Sequence, residues 1–306
     1  MKNPDQAELP DQDAPVRRIS QLVTIGIDGT DKRTVLQTTE HIEAPNWSPD
    51  GAWLVYNSKG RLWRIPAAGG GKPEHIPTGD VLGINNDHVL SPDGRTIYFS
   101  AEGHLYSVPF AGGTPTRVSN DHPPERKFRY YLHGVSPDNR TLAYVGVESA
   151  GDSAWGRINL YTIPTAGGAD TQLTDTPVPD DGPEYSPDGA YIYFNSELNA
   201  TIPGHAQCYR MAADGSGIEQ LTDDERVNWF PHISPDGTWV VYISYPPGTL
   251  KHPANKDVIL RRMRPDGSGK ADIIGFNGGQ GTINVNSWAP GSRRFAFVMY
   301  PREDEA

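Results

Sequence analysis

Three of the nine histidines in this 306-residue chain stand at matching places. His88, His133 and His232 each fall two or three residues ahead of a copy of one short phrase, Ser-Pro-Asp followed by Gly or Asn. Glu43, Glu184 and Asn286 hold similar stations ahead of other copies. Imidazoles and carboxylates that converge can bind a divalent metal, with His88, His133, Glu184 and His232 as the candidate ligands. The same groups could instead line a water-filled channel and bind nothing, the reading their spacing favours. No His-x-His or His-Glu-x-x-His spacing marks a dedicated metal site.

Two further stretches carry residues suited to a ligand. Pro246 to Asp257 is stiffened by proline and presents Lys251, His252, Lys256 and Asp257. It either reaches over a channel mouth to hold an anionic or sugar ligand, or is a solvated insertion. Glu125 to Tyr131 is a basic, aromatic patch in an acidic chain. Its rings, Tyr131 among them, could stack a sugar while Arg126 or Arg129 clamps a carboxylate. Alternatively, the rings pack inward and the charges face water. Trp155 adds aromatic surface near the same rim.

These residues owe their positions to a repeat. The phrase recurs at Ser48, Ser91, Ser136, Ser186 and Ser234, with a degenerate copy from Ala289 to Ser292. Successive copies start 43, 45, 50, 48 and 55 residues apart, close to the ~40–45 of a four-stranded propeller blade. Each copy makes a hairpin turn: Pro presets φ, Asp tolerates the second corner, and Gly takes the left-handed exit. Runs such as Trp53-Leu54-Val55-Tyr56 and Trp239-Val240-Val241-Tyr242 follow, nearly continuous in apolar residues, as strands buried on both faces require. A second phrase, Leu62 to Pro66 with Ala68-Gly69-Gly70, returns at Leu105 and Leu160 and reads as a third strand, a Gly-rich hairpin and a fourth strand.

The ends complete the count. Only two strands remain around and after Trp288, while Leu22 to Ile25 and the stretch after Asp28-Gly29-Thr30 form an orphan third and fourth strand. The expected fold is therefore all-β: a six-bladed β-propeller of four-stranded blades, its ring closed by N- and C-terminal strands in one blade. It fills residues 18–301 as a single domain, between a disordered segment, 1–17, and an acidic tail, 302–306. The long segments 119–132, 146–157, 195–207 and 245–256 share one face of such a ring, where binding loops normally sit.

The Trp-Ser-Pro-Asp-Gly phrase and its spacing resemble the propeller of TolB and its stand-alone relatives. The resemblance covers roughly residues 18–300 and is sharpest at Trp229 to Pro235, His252 to Val258 and Gly278 to Trp288. It implies protein partners docking on the rim, or a peptide entering the channel. TolB carries an α/β domain ahead of its propeller, and here only ~20 residues precede the first strand, fewer than a domain needs. Oligogalacturonate lyases share TolB-like repeats, with a metal and histidines at the axial face. That likeness implies His133 or His232 as base and Arg126 or Arg129 on a uronate carboxylate. The closely spaced histidine ligands of those lyases have no counterpart here.

Composition narrows the classes. A net charge of −11 opposes nucleic acid and anionic membranes. Cys208 is the lone cysteine, so no internal disulfide forms, as suits a reducing compartment. The first residues lack the apolar core of a secretory signal, which implies a cytoplasmic protein, or a periplasmic one if a leader has been removed. No Gly-x-Ser-x-Gly elbow occurs. The expected function is a monomeric ligand- or protein-binding propeller, its site on the long-loop face and axial channel. A metal-assisted uronate oligosaccharide lyase is the alternative.

Overall fold

The computed structural model describes residues 19–149 and 156–302. Trp155, the segment 1–17 and all of the acidic tail but Arg302 lie outside them. Six antiparallel sheets ring a common axis, and five of them run in simple chain order. Their innermost strands are Glu43–Trp47, Ile84–Leu90, Arg129–Val135, Asp180–Tyr185 and Val227–Ile233. In the third blade the sequence proceeds outward through Thr141–Glu148 and Arg157–Pro164 to Thr171–Gln172. Second strands are buried over all but their terminal residues, Val240–Tyr245 completely so, because each lies sandwiched between neighbouring blades.

The sixth blade is sealed from both ends of the chain. The strand Ser20–Gly26 pairs with Arg33–Thr38 on one side and Arg294–Met299 on the other, Leu22 lying opposite both Leu36 and Val298. Here the innermost strand departs from expectation. It is reduced to one bridge, Trp288 to Phe295. The backbone of Ser287 still accepts from Ala296 and that of Thr282 from Val298. The residues between them leave the ladder toward the axis, where Asn284 and Asn286 bond to groups of other blades.

The repeated turn has one chemistry. In every full copy the Ser hydroxyl donates to the Asp carboxylate two residues on, at 2.5–2.6 Å. The same hydroxyl accepts the backbone N–H five residues on, at 2.9–3.0 Å. The fourth residue is left-handed, with φ near 76° at Gly51 and 59° at Asn139. Burial between blades supplies the bulk of the cohesion, at ~1.5–3 kcal/mol for each large apolar side chain. Among the described residues no helix is long and apolar enough to cross a membrane.

Candidate functional site

The innermost strands of the first five blades each carry a β-bulge, and the bulges decide which side chains reach the axis. A bulge inserts residues that have no partner across the ladder, and their side chains are turned out of the sheet. In the second blade the shift lies between Ile84 and His88, so Asp87 is inside it while His88 is back in register opposite Phe99. In the third blade it lies between Leu132 and Gly134, which puts His133 itself in the bulge. His88 and His133 thus occupy the same place relative to their turns and face different surroundings. In the fourth blade Asp181 opens the bulge. In the fifth, Phe230 sits within it, held at a left-handed φ of 51° by its N–H bond to Asn195 Oδ1 at 3.1 Å.

The result is a cavity of about 240 Å3 on the long-loop side of the axis, with Asp87, Tyr131, His133, Asp181, Phe230 and His252 on its wall. His133 Nε2 lies 3.3 Å from Asp181 and 3.9 Å from Asp87, and Nδ1 donates to the Asn284 carbonyl at 3.2 Å. Its ring stacks on Phe230 at 5.8 Å. Burial alone would lower the imidazole pKa, but the two carboxylates and the carbonyl outweigh it and raise it to about 9. Burial pushes the Asp87 carboxyl up to about 6, against the pull of His133. Burial acts on Asp181 in the same direction, yet the hydrogen bond and charge of His133 keep it below its ordinary value. At neutral pH the cluster is therefore an imidazolium between two carboxylates, with a negative balance.

His252 closes one side. It hydrogen-bonds Gln280, lies 3.9 Å from Asp181 and meets Trp229 at 4.4 Å and Phe230 at 5.2 Å. Burial lowers its pKa, so it is the neutral imidazole of the pair. The rest of its loop stays outside. Lys251 and Lys256 are exposed, and Asp257 pairs with Arg302 at 2.6 Å. Of the rim residues expected from sequence, His252 and Tyr131 reach the cavity, Lys251, Lys256 and Asp257 do not, and Trp155 lies outside the described residues.

The four residues expected to share a metal are not brought together. His88 is fully buried beside Val55 of the first blade, neither ring nitrogen has a well-aligned partner, and burial lowers its pKa to about 4. His232 and Glu184 close on each other: Nδ1 meets Oε2 at 2.5 Å and Nε2 donates to the Ile283 carbonyl at 2.7 Å. Among the described residues no group of three or more His, Cys, Asp or Glu is arranged to hold a metal ion. The basic patch is also engaged elsewhere. Arg126 pairs with Glu148 and lies over Phe128, while the stem of Arg129 rests against Gly103.

Asp87 and Asp181 were missed by the sequence reading, which took the histidines by type. The run Asn85-Asn86-Asp87 and the pair Asp180-Asp181, polar residues at or near the start of innermost strands, were the available signal. Asn284 and Gln280 gave less, because the strand expected there is largely absent.

Comparison with known proteins places these features in company. Residues 134–257 match the model of the TolB beta propeller domain. An uncharacterized protein of Agrobacterium fabrum is 40% identical over 268 residues, covering 88% of each chain. A solved structure from Agrobacterium tumefaciens, provisionally assigned as TolB, superposes with a TM-score of 0.83 at 38% identity, covering 92% of this chain and 98% of that one. An oligogalacturonate lyase in complex with manganese gives 0.54 at 13% identity, over 84% of this chain and 67% of that one, and shares the fold alone.

Proposed function

This chain belongs to the TolB-like family of β-propellers, and from that premise we propose that it is a binding module. Its site is the axial cavity on the long-loop face, and it receives a cationic group, an ammonium or guanidinium, of a small ligand or protein partner. The observation that carries this is the wall itself: two carboxylates flank His133, and among the described residues no Lys or Arg lines the cavity. A buried site with a negative balance favours a cation that brings hydrogen-bond donors with it.

The same wall weighs against a uronate substrate, whose carboxylate would meet Asp87 and Asp181 while His133, the one cation among the described lining residues, is already paired with both. Nor is either histidine expected as the base free to act. His133 keeps its proton to about pH 9, and both nitrogens of His232 are occupied. Titration calorimetry with a lysine-rich and a glutamate-rich peptide of equal length tests the reading. Only the first should bind, and Asp181→Asn should weaken it by ~1.5–3 kcal/mol, the scale of a hydrogen bond to a charged group. Equal binding of both peptides, or indifference to Asp181→Asn, would sink it.

A further inference from the structure

The cavity of about 240 Å3 is not confined to the axis. Its wall includes Val145 and Val147 from the second strand of the third blade and Ile158 from the third strand. Tyr131 lies opposite Val145, and Val147 opposite Ile158, so the four side chains share one face of the sheet. That face is turned to the fourth blade, where Val145 and Val147 pack in one cluster with Ile192 and Phe194. Strands of a sheet stand ~4.8 Å apart, so Ile158 lies two spacings, ~10 Å, outward from the innermost strand. The cavity is therefore elongated, running from the axis into the seam between the third and fourth blades.

Its two ends offer different chemistry. At the axis each carboxylate keeps one oxygen for a ligand. Asp87 Oδ2 accepts from Asn85 at 2.6 Å, whereas Oδ1 stands 3.9 Å from His133 Nε2, beyond hydrogen-bond reach. Asp181 Oδ1 accepts the Gly182 N–H at 2.7 Å and faces His133 at 3.3 Å, while Oδ2 is 3.9 Å from His252 Nε2. Both carboxylates can be reached, since their side chains keep 7% and 21% exposure and both lie on the cavity wall. At the seam end Val145 and Val147 are almost fully enclosed, and the surface on offer is that of Tyr131 and Ile158, both half-buried. Among the described lining residues, no charged group belongs to the second or third strand of that blade. The volume holds several waters, at about 30 Å3 each, and falls below the ~300–1,000 Å3 of pockets for drug-sized ligands.

We infer that the cation received at the axis is the head of a small amphiphilic amine, its apolar tail lying along Tyr131 and Ile158 in the seam. This rests on the cationic reading of the cavity and narrows it to a ligand class. The ammonium donates to Asp87 Oδ1 and Asp181 Oδ2, and the tail buries apolar surface that a bare cation leaves to water. A ligand charged at both ends is disfavoured, because its second charge enters the apolar end without a partner.

Titration calorimetry at neutral pH with methylamine, butylamine, hexylamine, hexamethylenediamine and hexanoate provides the test. Affinity should rise along the three monoamines by up to about fourfold for each methylene that is buried. Hexamethylenediamine should bind more weakly than hexylamine, and hexanoate not at all. Ile158→Ser should flatten the dependence on tail length and leave methylamine unaffected, whereas Asp87→Asn should weaken all three monoamines alike and keep the dependence. The amine series on the unaltered chain stands as a test even if a variant fails to fold. Equal affinity for methylamine and hexylamine overturns this inference and leaves the cationic reading in place. Failure of every amine to bind overturns both.

Discussion

His133 and His88 show how one residue type at one repeat position acquires opposite properties. The folded-state pKa of His133, about 9, lies above its ordinary 6.5, so the folded form holds the proton more tightly. That stabilisation is complete below pH 6.5 and is lost as pH rises through about 9. Thermal melts should therefore show Tm falling from neutral pH toward pH 9, and His133→Gln should flatten the slope. The variant should also be less stable at neutral pH by ~3–5 kcal/mol, the usual consequence of removing one partner from a buried charge pair. His88 works the other way. Its pKa, lowered to about 4, means that the unfolded chain takes up a proton first, so stability drops as pH falls from 6.5 toward 4. His88→Leu removes two buried nitrogens that lack aligned partners, and should leave Tm at neutral pH unchanged or higher while blunting the acid-side loss. A lowered neutral-pH Tm in His88→Leu would contradict this account. The contrast was hidden from sequence because it depends on where each bulge falls, one residue either side deciding between the axis and the blade interface.

Strands and turns were the most legible part of the molecule. Ser, Pro, Asp and Gly each have a separate local task in the repeated turn, so the turn is written in residue types alone. Ser234 illustrates it: the hydroxyl bonds Asp236, Thr238 and Trp239 within five residues. Ser234→Ala should cost ~1–3 kcal/mol in denaturant unfolding, since the N–H of Trp239 loses its buried acceptor. The bulges have no such code. They are enforced by neighbours, as Gly182 shows. It stands at φ 68°, and a Cβ there would come within 3.0 Å of Phe230 Cδ1 and 3.1 Å of Asn195 Oδ1. Gly182→Ala should therefore destabilise by ~1–3 kcal/mol and disturb the Asn195 bond that sets Phe230, loosening the cavity as well as the blade. Amide exchange at Phe230 is the direct readout, and unchanged protection there would count against the linkage. The short innermost element of the sixth blade was equally out of reach, because Trp288 and its turn look like the other copies while Asn284 and Asn286 are drawn off by partners in other blades.

For the molecule as a whole, the count of six and the sealing blade were readable, since strand number and the orphan pieces at the two ends must balance. Deleting residues through Thr38 removes Ser20–Gly26 and Arg33–Thr38, and leaves Arg294–Met299 with an unpaired edge and the Val23 and Ile25 packing against the fifth blade missing. Melting of that deletion should show loss of the cooperative transition of the whole ring, whereas a transition like that of the full chain would mean the seal is dispensable. The seal also sets an order in time. Ser20–Gly26 is made before the five intervening blades, and its partner Arg294–Met299 after them. During synthesis the early strand is exposed and idle, and pairing between such distant segments is slow to form. The ring can therefore lock only after its final blade has emerged, so while the five intervening blades are made the nascent chain carries one strand edge unmatched for chaperones, or neighbouring chains, to find.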